Sequence, residues 1–281
     1  MRSSLTPVLN GVLVALLAVL VPLGATAVWA DRVLADEDAY VAAMSPLAGN
    51  PKVRGAVARQ ATEAIDGQLD AGPFQPAVRA LLGEAVDSFV GTASFRTAWN
   101  AANRAAHAAF FTSLDSGTGN KVSVDLAPVI AQVKDDLAAD GVPFVEHIPE
   151  SHTVITVMEY ENLGALRRGF HVLQIAGIWL PVGALVLTAA AVALSARRRT
   201  TLVAAGVGLA AGALLLAAAV PLLRGLTLDD LPADVDRDAA GAVYDALTAF
   251  LRTTAWVVLA AGVALALGAW LAGLRRRTRT P

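Results

Sequence analysis

Four long apolar stretches constrain this chain more than any other feature. They run from Pro7 to Trp29, Val172 to Leu194, Leu202 to Leu223 and Thr254 to Leu274, and none contains an Asp, Glu, Lys, Arg or His. A helix needs about 20 mostly apolar residues to cross a bilayer, and each stretch meets that length. Composition agrees. Of 281 residues, 56% are hydrophobic and 16% charged, where soluble domains carry about a quarter charged. Mean hydropathy is +0.56.

The charges at the ends of these stretches predict their direction. Arg2 precedes the first; Arg197, Arg198 and Arg199 fill the turn between the second and third; Arg275, Arg276, Arg277 and Arg279 follow the fourth. The opposite ends meet Asp31, Asp36, Glu37 and Asp38, and the acidic segment 229–238. Basic residues are retained in the cytoplasm. Both termini are therefore expected inside a cell membrane, with residues 31–170 extracytoplasmic. Trp29, Trp179 and Trp256 then fall toward the outer interface and Trp270 toward the inner one, as an aromatic belt requires. Segment 1–30 is read as a signal anchor. Pro22, Gly24 and Val28-Trp29-Ala30 before Asp31 also fit a cleaved signal peptide, which would leave the remaining topology unchanged.

Helix packing inside the bilayer depends on small residues. Ala204, Gly208 and Gly212 repeat at four-residue spacing on the third stretch, and Ala260, Ala264, Gly268 and Ala272 on the fourth. Contacts within one bundle are expected from both rows. The arginine turn permits only an antiparallel hairpin over 171–223.

The expected fold is an α-helical membrane protein, a four-span bundle with a mainly helical α+β extracytoplasmic domain over 31–170. Asn50-Pro51 opens a helix to about Leu69, ended before Gly72-Pro73. A second helix spans about Pro76 to Val90, and Ser94 caps a third from Phe95 to Leu114. The alternation in Lys121–Asp125 and in Thr153–Val157 predicts two short paired strands, separated by a helix from Ala127 to about Asp140 closed at Gly141. A last helix from Glu159 would continue through Arg167 and Arg168 into the second span. The acidic loop within 224–253 is expected to carry a helix from Ala239 into the fourth span, followed by a basic cytoplasmic tail within 254–281.

Several stretches resemble a family of uncharacterised actinobacterial integral membrane proteins. These are Tyr40-Val41 through Ser45-Pro46-Leu47-Ala48, then Asn50-Pro51-Lys52-Val53, Trp99-Asn100 with Asn103-Arg104 and His107, and Val124-Asp125-Leu126-Ala127-Pro128. The resemblance implies a bacterial cytoplasmic membrane and brings no activity with it.

Candidate sites are few. Trp99, Asn103 and His107 share one helix face at i, i+4 and i+8. They form either a site in which Asn103 orients His107 or a polar clasp between helices, and the lack of a carboxylate or second His on that face favours the clasp. His147 and His152, with Glu146 and Glu150, match no zinc-site spacing. Asp234, Asp236, Asp238 and Asp245 occupy positions 1, 3, 5 and 12 of a calcium-loop register, but Ala239 stands where Gly is needed. Helix-capping anions explain them better. Arg167 and Arg168 would grip a lipid phosphate or pair with Asp229 and Asp230. No nucleophile elbow or phosphate loop is present. The absence of cysteine excludes disulfides and thiolate sites, and a net charge of −2 gives no field to recruit nucleic acid.

The expected function is a non-catalytic accessory or scaffold protein of a bacterial envelope complex. It would have no cofactor and no bound metal, with the bilayer and an envelope protein as partners. Trp99, Asn103, His107, Arg167 and Arg168 are its candidate contact residues. The alternative is a permease-type subunit resembling the FtsX and MacB class of ABC membrane subunits. Residues 196–201 are a short replacement for the cytoplasmic segment of that class. Ion-coupled transport needs ionisable groups at membrane depth, where this chain has at most Asn10 and Gln174.

Overall fold

The structure, a computed structural model, describes residues 5–67, 71–116, 121–125, 131, 154–159, 163–195 and 197–277. The chain is predominantly helical, and four of its helices are long and apolar enough to cross a membrane. It divides into two compact units. One comprises 1–35, 170–227 and 248–281; the other comprises 36–169 and 228–247.

In the first unit, α1 (Leu5–Trp29) runs on as one π-helical turn, Ala30–Leu34. Then come α6 (Leu163–Leu194), α7 (Arg198–Asp229) and α9 (Ala249–Arg277). Of these, α7 is the most enclosed, and its glycines are the reason. A β-carbon added at Gly208 or Gly212 would stand 3.0 Å from Leu17 Cβ or 2.7 Å from Val21 Cβ on α1. The small-residue row expected on the third span thus lies at a helix contact. The row on the fourth span does not: Ala260, Ala264, Gly268 and Ala272 are exposed. There α9 meets α7 through Gly262, whose added β-carbon would lie 2.8 Å from Gly206 O. A four-residue repeat marks a face that permits close approach without naming the face that is used. The loop between α6 and α7 is a tight turn, bonded by Thr200 N–H and Thr201 N–H to Arg197 O.

The second unit opens with α2 (Glu37–Met44), capped by Asp36, whose carboxylate accepts the Ala39 N–H at 2.8 Å. A 3-10 turn (Ser45–Gly49) leads to α3 (Pro51–Asp66), which Asn50 caps through Lys52 N–H at 3.0 Å. Gly72, at φ +52°, makes the bend into a short 3-10 turn and α4 (Gln75–Phe89). That left-handed backbone is inexpensive only for glycine. Next is α5 (Ala93–Ser116), and its start corrects the expectation. Thr92, not Ser94, accepts the Phe95 N–H at 3.1 Å, while Ser94 is buried.

Two strands, β1 (Lys121–Asp125) and β2 (Val154–Glu159), pair antiparallel with an irregularity between Val122 and Ser123. Among the described residues they make the one two-stranded ladder beside helices, so the label α+β overstates the sheet content described. Since β2 continues to Glu159, the next helix begins at Leu163 and not at Glu159. The expected helix from Ala127 to Asp140 lies outside the described residues.

The acidic segment is not a free loop. Helix α8 (Arg237–Leu247) packs Ala239, Ala242, Val243, Ala246 and Leu247 onto buried Met44, Leu47 and Val53. That spacing is one apolar helical stripe. The expected continuous helix from Ala239 into the fourth span is broken at Thr248. A second cluster joins Ala48, Ala58, Val90 and Phe95. Each fully buried large side chain contributes about 1.5–3 kcal/mol.

Candidate functional site

Trp99, Asn103 and His107 all lie on α5, and the structure gives each a packing partner. Trp99 Nε1–H donates to Met44 O at the end of α2 at 2.9 Å. Asn103 Nδ2 turns back to Trp99 O on its own helix at 2.8 Å, so it does not orient the imidazole through that group. His107 is 8% exposed, with its ring 5.1 Å from Tyr40 and 4.5 Å from Phe111 between centroids. Burial pushes the Tyr40 hydroxyl above its ordinary value of 10.0. The aromatic contacts enclose His107 and leave little room for a substrate. Next to it, Arg104 donates to Glu37 Oε1 at 3.0 Å and stands 3.9 Å from Asp38. The acidic residues following the first span therefore fasten α2 to α5.

Arg167 and Arg168 lie in the first turns of α6. His147, His152, Glu146 and Glu150 are outside the described residues. Among the described residues no group of three His, Asp or Glu side chains is arranged to hold a metal. The acidic register has a structural use. Asp236 caps α8 by accepting Ala239 N–H at 2.9 Å and is paired with Arg59 of α3. Asp238 lies 3.3 Å from Lys52 Nζ. The Ala239 amide foremost, opposed by burial and joined by the Arg59 charge, holds the Asp236 carboxyl below its ordinary 3.8. An open cleft of about 540 Å³ runs between α3 and the start of α8, bordered by Arg59, Gln60, Glu63, Asp234 and Asp236.

Two features escaped the sequence reading. Arg54 Nε and Asn100 Oδ1 are buried with no hydrogen-bond partner among the described residues. A buried polar atom left unpaired costs about 1–3 kcal/mol, and sequence carries no signal for it. The other feature is α4, which has no buried residue. Phe74 just before it is 73% exposed and Leu81 is 68% exposed. Phe74 closes the 3-10 turn and Leu81 stands on the helix that follows it.

No family model, curated protein or solved structure matches this chain. Function must therefore be argued from its own residues.

Proposed function

We propose that the chain is a non-catalytic membrane accessory or scaffold protein of a bacterial cell envelope, whose helical unit docks an envelope protein. The observation that carries this reading is α4, which buries no residue and exposes Leu81, with Phe74 exposed just before it. Exposed aromatic and aliphatic side chains brought close together mark contact sites when they form a continuous patch. Aromatic and aliphatic anchors of this kind dominate the energy of protein interfaces. The reading gains support from the four spans, which offer no ionisable group for transport. In this proposal the unit with its two strands is extracytoplasmic, both termini are cytoplasmic, and the arginines at 197–199 and 275–279 set that direction. The setting is the bacterial membrane implied by the resemblance noted above.

The test is a Phe74→Ser, Leu81→Ser double variant expressed in native membranes. Loss of a specific co-purifying protein, with unchanged membrane insertion and helical content, is expected. Undiminished recovery of that protein by the double variant rejects the docking face.

A further inference from the structure

An apolar groove of about 410 Å³ opens in the membrane unit between α1, α6, α7 and α9, bordered by Gly24, Val28, Pro181, Leu209, Phe250 and Leu265. Its polar candidates are hydroxyls, and Thr188 satisfies its own by donating to Ala184 O at 2.7 Å in the same helix. Such a groove cannot hold water favourably, because water needs polar partners. On α9 it extends from Phe250 to Leu265, about 22 Å at 1.5 Å per residue. On α1 it extends from Leu17 to Val28, about 16 Å by the same rise. One leaflet of hydrocarbon is about 15 Å deep, half of the roughly 30 Å core. The groove therefore has the depth and chemistry of a single acyl chain.

The end of the groove at Val28 carries charge of both signs. Arg32 stands one turn beyond Val28 on the same face of the helix and is exposed. Asp31 precedes it, its Cβ 3.6 Å from where a β-carbon on Gly177 of α6 would be. Among the described residues neither makes an ion pair. A guanidinium beside a carboxylate complements a headgroup bearing a phosphate and a primary ammonium. It complements neither a purely anionic headgroup, which Asp31 opposes, nor a quaternary ammonium, which cannot donate a hydrogen bond to Asp31.

We propose that this groove is a binding site for one phosphatidylethanolamine-type lipid, with an acyl chain between α1, α6 and α9, its phosphate on Arg32 and its ammonium on Asp31. The proposal rests on the membrane-spanning reading and is independent of the docking face. The test is native mass spectrometry of the full chain purified in mild detergent with dioleoyl phosphatidylethanolamine, phosphatidylglycerol or phosphatidylcholine. One phosphatidylethanolamine per chain should be retained in preference to the other two, and millimolar inorganic phosphate should not displace it. Arg32→Gln should weaken retention of all three lipids about threefold, the order of one exposed charge pair. Asp31→Asn should abolish the preference over phosphatidylcholine alone. Ala184→Phe, which narrows the groove, should lower retention of every lipid. Both charge variants lie at the helix end, so the test survives even if Ala184→Phe does not fold. Equal retention of the three lipids by the native chain overturns the proposal, as does an unchanged preference in Asp31→Asn.

Discussion

Arg59 on α3 pairs with Asp236, the residue that caps α8, across 177 positions of sequence. The contact fastens a helix reached only after three of the four spans to the helical unit that begins after the first. Its dependence on pH follows from the Asp236 carboxyl, held low by the Ala239 amide and by Arg59. A carboxyl with a depressed folded-state value contributes stability that is fully present above its ordinary 3.8 and is lost as pH falls through the lowered value. Asp236→Asn retains a competent cap and removes the charge. It should melt below the native protein at pH 7, and the two melting curves should converge as pH falls well below 3.8. Circular dichroism melts at several pH values check this; a constant gap down to the acid limit contradicts it.

The close approach of Gly206 and Gly262 makes a prediction that distinguishes the two small-residue rows. Gly262→Leu should destabilise the bundle by about 1–3 kcal/mol, the usual cost of overpacking, seen as earlier thermal aggregation in detergent. Gly268→Leu, at a position with open space around it, should have little effect. Equal effects would show that α9 packs through the exposed row instead.

Trp99→Phe keeps the ring and removes the hydrogen bond to Met44 O. The expected loss is about 1 kcal/mol, the net value of one such bond, read from urea unfolding of the second unit. His107→Phe should be tolerated better than His107→Asp, because the site is an aromatic enclosure and a buried unpaired carboxylate is costly.

Much of this fold was legible because its signals are local. The four spans show as uninterrupted apolar runs, and in the second unit Asn50-Pro51 and Gly72 mark a helix start and a bend through capping and backbone freedom. The antiparallel strand pair was visible in the alternation of 121–125 and 153–157, the second strand running on to Glu159. What was not legible depended on distant partners. The clasp by Trp99 has Met44 as acceptor, which nothing at position 99 announces. The acidic register read as helix-capping anions, but its pairing with Arg59 and Lys52 needed the fold. The span contact fell on Gly262 and not on the Gly268 row because a helix offers several small faces and its neighbours select one. Leu81 was assigned to a helix and Phe74 was not, and neither was recognised as uncovered, since exposure is a property of the packed unit.

Direction across the bilayer is testable by labelling, because the chain has no native cysteine. Thr97→Cys on α5 and Thr200→Cys on α7 are both at exposed positions. With the second unit extracytoplasmic, an impermeant maleimide should label Thr97→Cys in intact spheroplasts and Thr200→Cys only after lysis. The reverse pattern inverts the topology.

The proposed function is tested most directly by placing a photo-crosslinking amino acid at Leu81 in native membranes, with the exposed Arg96 position on α5 as reference. A discrete adduct from position 81 that is absent from position 96, and that disappears when Phe74 is also replaced by serine, is the predicted result. Indistinguishable products from the two positions, or lipid adducts alone at 81, would contradict a protein-docking face.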